Sequence, residues 1–290
     1  MAKIGFIGLG NMGYPMAENM LAKFGNLTVY NRSQTKAEIL KEKGAEIAKS
    51  PQGLAEAVDV IILALPGPKE VEEIIAGRNG IAVGGNPGLK IIDTSTVSPV
   101  TSRKMHDLCE EKNIYYVDCP VSGGPAGAAK SSLTVMIGAS EEEIQQQGLE
   151  PYLNVIGSTF HYIGKVGGGS SVKIINNYIA FTTQVVNGEA LLMADTLGIP
   201  TDVFYKVTTS SSGNNVILKA KMNKVMSDDM NPGFALDLVV KDLELARQLC
   251  QNIKVPNFTL NTGIQFYREA QRKGYGQSDS CSVIKVIRGQ

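Results

Sequence analysis

Four groups of residues in this chain are of types and spacings that could do chemistry. The first is a glycine set, Gly8, Gly10 and Gly13, in "KIGFIGLGNMGYPM", directly after a short apolar run. Where a strand turns into a helix, glycines at this spacing make a cradle for a pyrophosphate. The first makes the tight turn, the second admits the anion, and the third lets helix and strand pack closely. The helix N-terminus adds N–H groups and a dipole that favour negative charge. The plainer reading is an ordinary strand–turn–helix.

The second group is "DCPVSGGPAGA", Asp118 to Ala128. Ser122, Gly123 and Gly124 offer a hydroxyl and unobstructed backbone N–H groups, which suit a carboxylate; a simple Gly/Pro turn is the alternative. The third is "GKVGGGSSVKIINNY", where Lys173 and Asn177 stand four apart, on one helical face. Lys173 lies in an apolar helix with no acid near it in sequence. Burial would depress its pKa towards the range of a proton donor or acceptor, unless its stem only carries the amine out to water. The fourth is Lys241 with Asp242 in "FALDLVVKDLELA", which reads by itself as an ordinary exposed helical pair.

The residues after the second strand bear on which dinucleotide the glycine loop would take. NAD binders usually carry an acid there for the ribose 2′-hydroxyl. This chain reads "VYNRS": the acid is absent, and Asn31 and Arg32 take its place. A guanidinium suits a 2′-phosphate. The expected cofactor is NADP in preference to NAD, although Arg32 would also serve as a solvated surface side chain.

The elements that must position these residues follow from periodicity. "KIGFIG", "LTVYN", "DVIILALP", "KIIDTST" and "YYVDCP" read as strands, several of them apolar on both faces, as inside a parallel sheet. Helical spacing separates them. Ser33 and Ser50 are candidate N-caps, Ser50 being followed by Pro51 at the first helical position. Repeated strand–helix units indicate an α/β, Rossmann-type doubly wound parallel sheet. After Gly164 the pattern becomes helical, beginning with a long segment from Ser170 to Leu197 that is apolar nearly all round and is expected to be buried. Further helices are expected near 202–208, 216–226, 236–250, 260–273 and 281–288. The expected organisation is a dinucleotide-binding domain over 1–164 and an all-α C-terminal domain over 165–290.

Composition narrows the function. Lys and Arg balance Asp and Glu at 28 each, so the basic excess usual in nucleic-acid binders is missing. No apolar run reaches the roughly 20 residues of a membrane span. The start reads as a strand rather than an export leader. Cys109, Cys119, Cys250 and Cys281 are far apart, without metal-ligand spacing, as in a reduced cytoplasmic protein. No metal is expected.

Taken in order, "GFIGLGNMGYPMAENM", "DTST", "DCPVSGG", "GGGSSVKIINN" and "VVKDLELA" resemble the β-hydroxyacid dehydrogenase family across essentially the whole chain. The family includes 3-hydroxyisobutyrate dehydrogenase and tartronate semialdehyde reductase. The resemblance implies an NAD(P)-dependent oxidoreductase that interconverts a small β-hydroxy acid and its semialdehyde. It makes Lys173 the catalytic acid/base and Asn177 a substrate-holding partner. Ser122, Gly123 and Gly124 become the carboxylate site, and Lys241 lies near the nicotinamide end of the cofactor. Cofactor contacts fall on Gly8, Gly10, Asn11, Met12, Gly13, Asn31, Arg32, Leu65, Pro66 and Thr96. It also implies a homodimer or homotetramer formed around the long helix. "SSSGNNVILKAKM" looks more like tartronate, succinic semialdehyde or sulfolactaldehyde reductases than 3-hydroxyisobutyrate dehydrogenases, and Asn214, Asn215 and Lys219 there either line the distal pocket or lie in a solvated loop. A sulfolactaldehyde-type reductase and a non-catalytic dinucleotide-binding regulator are the alternatives.

Overall fold

The structure, a computed structural model, describes residues 2–289 and divides into two compact units, one running through Lys173 and the other starting at Ile174. The first unit alternates strand and helix: β1 (Ile4–Ile7), α1 (Gly13–Phe24), β2 (Leu27–Tyr30), α2 (Thr35–Glu42), β3 (Glu46–Ile47), α3 (Pro51–Ala55), β4 (Val60–Leu63), α4 (Pro68–Ala76), α5 (Ile81–Gly84), β5 (Lys90–Asp93), α6 (Pro99–Glu110) and β6 (Tyr115–Asp118). Then come β7 (Val121–Ser122), α7 (Gly124–Ala129), β8 (Leu133–Ile137), α8 (Glu141–Gln146), α9 (Glu150–Ile156) and β9 (Gly157–Tyr162). The helix α10 (Gly168–Thr196) begins in this unit. The second unit holds the rest of α10 and α11 (Thr201–Thr209), α12 (Val216–Ser227), α13 (Leu236–Asn252), α14 (Phe258–Arg272), a 3-10 turn at Ser280–Ser282 and α15 (Val283–Ile287).

The main sheet has the order β3-β2-β1-β4-β5-β6, every pairing parallel. Its strands are short and apolar because both faces are covered. Alternate residues point into opposite layers: Phe6, Ile62, Ile92 and Val117 join the core that holds Met16 and Met20, whereas Ile7, Ile61, Ile91 and Tyr116 join the core that holds Leu54 and Met105. A second sheet, β7-β8-β9, pairs β7 with β8 antiparallel and β8 with β9 parallel.

Local chemistry sets several helix starts. The Ser50 hydroxyl accepts from the Gly53 N–H at 3.0 Å, with Pro51 next in line, and the Ser98 hydroxyl accepts from the Thr101 N–H at 3.0 Å ahead of α6. Ser33 does not cap: α2 starts at Thr35 behind Gln34, without a side-chain cap. The Ser33 carbonyl is instead held by the Asn31 amide at 2.7 Å.

In the second unit, Ile174, Phe181, Val185 and Leu191 of α10 form one core with Leu243, Ile264 and Tyr267. The Tyr267 hydroxyl donates to the Phe181 carbonyl at 3.0 Å. Asp279, fully buried, accepts from the Lys221 ammonium at 2.7 Å and from the Gly233 and Cys281 N–H groups. The long helix is not buried all round, contrary to its composition. Ile175, Ile179, Val186 and Met193 are 50–66% exposed. Their spacing of four and seven lines them along one face.

Candidate active site

The register of the main sheet gathers the candidate residues. Ile7 pairs with Tyr30 and with Leu63, Leu63 with Asp93, and Asp93 with Asp118. These five residues end their strands in one row. The glycine loop, Asn31–Arg32, Leu65–Pro66, Thr96 and the Ser122–Gly124 loop therefore all leave the sheet from its carboxyl edge. Strand order reverses between β1 and β4, and the crevice at such a reversal is where open α/β sheets bind ligands.

Each glycine in the loop after β1 has its own physical reason. Gly8 has φ +98°, and a Cβ there would lie 2.3 Å from the Ala64 carbonyl oxygen. At Gly13 a Cβ would lie 1.8 Å from the Gly8 carbonyl oxygen, so this glycine lets α1 close on the turn. At Gly10, which is exposed, a Cβ would meet nothing within 4 Å. That open approach to backbone fits a pyrophosphate. So does the start of α1, which has no side-chain cap and no acid in its first turn. Asn11 is exposed and Met12 half-buried against the core below.

Asn31 serves as a brace. Its Oδ1 accepts from the Leu9 N–H at 2.9 Å, and its Nδ2 donates to Ser33, so the side chain ties the end of β2 to the glycine loop. Arg32 is exposed beside it, and no acid stands at Asn31 to Gln34. The Leu65 N–H donates to the Ser95 hydroxyl at 2.9 Å, which fixes the turn after β4; Pro66 is exposed and Thr96 half-buried.

Behind this edge lie two buried carboxylates. Burial pushes Asp93 up to about 6, against the hydrogen bonds it accepts from Ser95 and from the Tyr116 hydroxyl. Asp118 is also raised by burial, while N–H groups of Ser170 and Gly167 pull the other way. Its Oδ1 accepts from Gly167 at 2.8 Å and its Oδ2 from Ser170 at 2.7 Å, at the start of α10. Ser102 of α6 and Ser170 share a buried hydroxyl–hydroxyl bond of 2.9 Å. The first turn of α10 is thus joined to the end of β6, and Lys173, three residues further on, is buried at 8% exposure. Ser122 is half-buried and pairs with Thr134 across β7–β8. Gly123 and Gly124, at φ +134° and +67°, turn the chain into α7.

In the second unit Asn177 is 4% exposed and its Nδ2 donates to the Asp242 Oδ2 at 2.6 Å. The other oxygen of Asp242 lies 2.9 Å from the Lys241 ammonium. Asp242 is 1% exposed, which corrects the expectation of an exposed pair. It falls in step with Leu236, Val239 and Ala246 on the buried face of α13, and a charged residue in that apolar register was the signal that could have marked it. Its carboxylate orients the Asn177 amide. Asn214 and Lys219 are exposed, whereas Asn215 is committed to structure: it caps α12 at the Leu218 N–H and exchanges amide bonds with Asn187. Among the described residues, no group of three His, Cys, Asp or Glu could hold a metal ion, and no helix is long and apolar enough to cross a membrane.

Comparison with known proteins agrees with these features. Residues 3–164 match the model of the NAD binding domain of 6-phosphogluconate dehydrogenase. Residues 167–287 match the NAD-binding region of NADP-dependent 3-hydroxyisobutyrate dehydrogenase. The chain is 36% identical to 2-(hydroxymethyl)glutarate dehydrogenase of Eubacterium barkeri, over 98% of this chain and 94% of that one. It is 32% identical to 3-sulfolactaldehyde reductase of Escherichia coli, over 99% and 96%. The crystal structure of 3-hydroxyisobutyrate dehydrogenase from Salmonella typhimurium superposes with a TM-score of 0.88 at 30% identity, covering 99% of this chain and all of that one.

Proposed function

Since the chain belongs to the β-hydroxyacid dehydrogenase family and is an NAD(P)-dependent hydroxyacid dehydrogenase, we propose that Lys173 is its acid/base and that Ser122, Gly123 and Gly124 hold the substrate carboxylate. When bound, the dinucleotide supplies or accepts the hydride at its nicotinamide ring. The Gly8–Gly13 loop and the start of α1 would hold its pyrophosphate, with Leu65, Pro66 and Thr96 along the same edge. The nicotinamide role of Lys241 rests on the family resemblance of its motif. Arg32, with no acid beside it, favours NADP over NAD.

The substrate is a small acid with a hydroxyl, or the corresponding aldehyde, beta to its carboxylate. The Ser122 hydroxyl and the following N–H groups hold the carboxylate and thereby fix where the reacting oxygen lies. The Lys173 amine gives its proton to that oxygen in reduction and takes the hydroxyl proton in oxidation. Asn177, its amide oriented by Asp242, aligns the same oxygen. One observation carries this reading: Lys173 is buried on a helix whose first turn is hydrogen-bonded to Asp118, at the sheet edge where the glycine loop also starts.

The test is Lys173→Ala, assayed by reduced-nicotinamide absorbance with 2-(hydroxymethyl)glutarate, 3-hydroxyisobutyrate and 3-sulfolactaldehyde. Loss of a positioned general acid/base lowers kcat by about 10²–10⁴-fold, with dinucleotide affinity retained. Near-normal turnover refutes the assignment.

The apolar stripe of Ile175, Ile179, Val186 and Met193 favours a homo-oligomer in which a second copy covers it. Four unpaired cysteines, three of them buried, fit a reducing compartment such as the cytoplasm.

A further inference from the structure

The carboxylate of Asp118 is set in a seat that the chain has cleared for it. It is 1% exposed at the last position of β6. A Cβ on Gly138 would lie 2.0 Å from its Oδ1, and a Cβ on Gly169 would lie 3.1 Å from its Oδ2 and 2.9 Å from its carbonyl oxygen. The backbone of Asp118 is fixed as well, its carbonyl accepting from the Gly138 N–H at 2.8 Å. Both carboxylate oxygens are then spent on the start of α10, on the N–H groups of Gly167, the residue before the helix, and of Ser170 in its first turn. A carboxylate accepting at a helix N-terminus makes charge-assisted bonds, stronger than those between neutral groups. Ser102 holds the same turn from α6.

Two chain segments meet at this residue. The strand that ends in Asp118 continues through Cys119 and Pro120 into β7 and Ser122. The helix it caps carries Lys173 three residues beyond Ser170, about one turn. We propose that Asp118 is a positioning residue: by holding the first turn of α10 it sets the separation between the Lys173 amine and the Ser122 loop. This rests on the roles given above to Lys173 and Ser122. In the substrate the carboxylate and the beta oxygen are a fixed few bonds apart, so turnover depends on that separation. Disturbing it displaces the amine from the reacting oxygen while leaving the carboxylate anchor on β7, which β8 pairing supports independently. The effect therefore falls on kcat and spares KM.

Asp118→Asn tests this. The amide keeps the shape and one acceptor oxygen, but turns an N–H donor towards one of the two backbone N–H groups. Displacements near 1 Å cost about 10²-fold in rate. With the best substrate of the three above, kcat is expected to fall about 10–100-fold, while KM and dinucleotide Kd stay within about 3-fold. A merely structural role would not depend on the amine, so the decisive measurement is the double variant. Asp118→Asn should slow Lys173→Ala no further. A kcat within about 2-fold of the unmodified protein overturns the proposal, and so do losses that multiply in the double variant. If Asp118→Asn does not fold, Ser170→Ala loosens the same turn by removing the hydroxyl, with its bonds to Ser102 and Asp118, while keeping the backbone N–H. A fall in kcat of about 3–10-fold at constant KM supports the proposal, and no fall overturns it. Lys173→Ala run alone separates the two readings. If it turns over normally, the acid/base assignment fails and the positioning role fails with it. If it is slow while Asp118→Asn is not, only the positioning role fails.

Discussion

Alanine at two glycines of one loop should have opposite effects on the protein without ligand. At Gly13 the new Cβ would stand 1.8 Å from the Gly8 carbonyl oxygen and 3.1 Å from the Ala64 Cβ. Neither neighbour is a flexible side-chain end, so backbone has to move, and α1 is displaced from the turn by an ångström or more. Overpacking of this kind costs about 1–3 kcal/mol. It also draws the helix N–H groups away from the anion they would bind. At Gly10 the Cβ would meet nothing, and the backbone lies outside the left-handed region. There Gly→Ala should stabilise the ligand-free protein by about 0.4–1 kcal/mol, because the unfolded chain has fewer conformations to lose. Its methyl group nonetheless occupies the approach to the pyrophosphate. Both variants are expected to weaken NADPH binding by about 10–100-fold, roughly 1.4–2.8 kcal/mol. Urea unfolding without ligand and fluorescence titration with NADPH measure the two effects separately. Equal loss of stability in the two variants would refute the division of labour between these glycines. Normal NADPH affinity in Gly10→Ala would refute the cradle itself.

Four further outcomes are expected. Arg32→Glu should raise the Kd for NADPH by about 10-fold or more and leave NADH within about 3-fold, since only the 2′-phosphate is repelled; equal effects on both would remove Arg32 from recognition. Burial alone would raise Asp279, but Lys221 and the Cys281 N–H more than offset it and hold the carboxyl at about 2, below its ordinary 3.8. A lowered carboxyl adds stability that is complete above the unfolded value and is lost as pH falls through the folded one. The second unit should thus lose about 2 kcal/mol between pH 4 and pH 2. Lys221→Met, which leaves Asp279 buried without its ammonium, should cost about 3–5 kcal/mol at neutral pH and flatten that acid dependence in urea titrations. Ile179→Glu places a charge in the exposed stripe of α10, where the side chain is 60% exposed. Sedimentation should show a smaller assembly with an unchanged circular-dichroism spectrum; an unchanged assembly would place the contact elsewhere.

What could be read from the chain was what neighbouring residues decide. The glycine loop announces itself within six positions, and Ser50 before Pro51 is a cap written in two letters. Ser33 looked equivalent, but no proline follows it, and Asn31 two residues earlier takes its carbonyl. The β7–β8–β9 sheet was not legible, because β7 has only two residues and its pairings join segments apart in sequence. The bonds from Asp118 to Gly167 and Ser170 span 49 and 52 residues, so no local pattern could show them. Asp242 sits next to Lys241 and reads as surface by type; only its place in the apolar register of α13 shows that it is buried. For α10, composition pointed to burial and the exposed stripe contradicts it, since one chain alone does not cover that face.

The common row at which five strands end also frees the opposite rim. The connections entering β2, β3, β4, β5 and β6 there carry none of the residues assigned to binding or proton transfer. Gly25, Gly44 and Gly88 lie in them with room around each backbone. New chain termini, affinity tags or a fused reporter placed at Gly44 or Gly88 should leave turnover intact, giving attachment points on the face turned away from the chemistry.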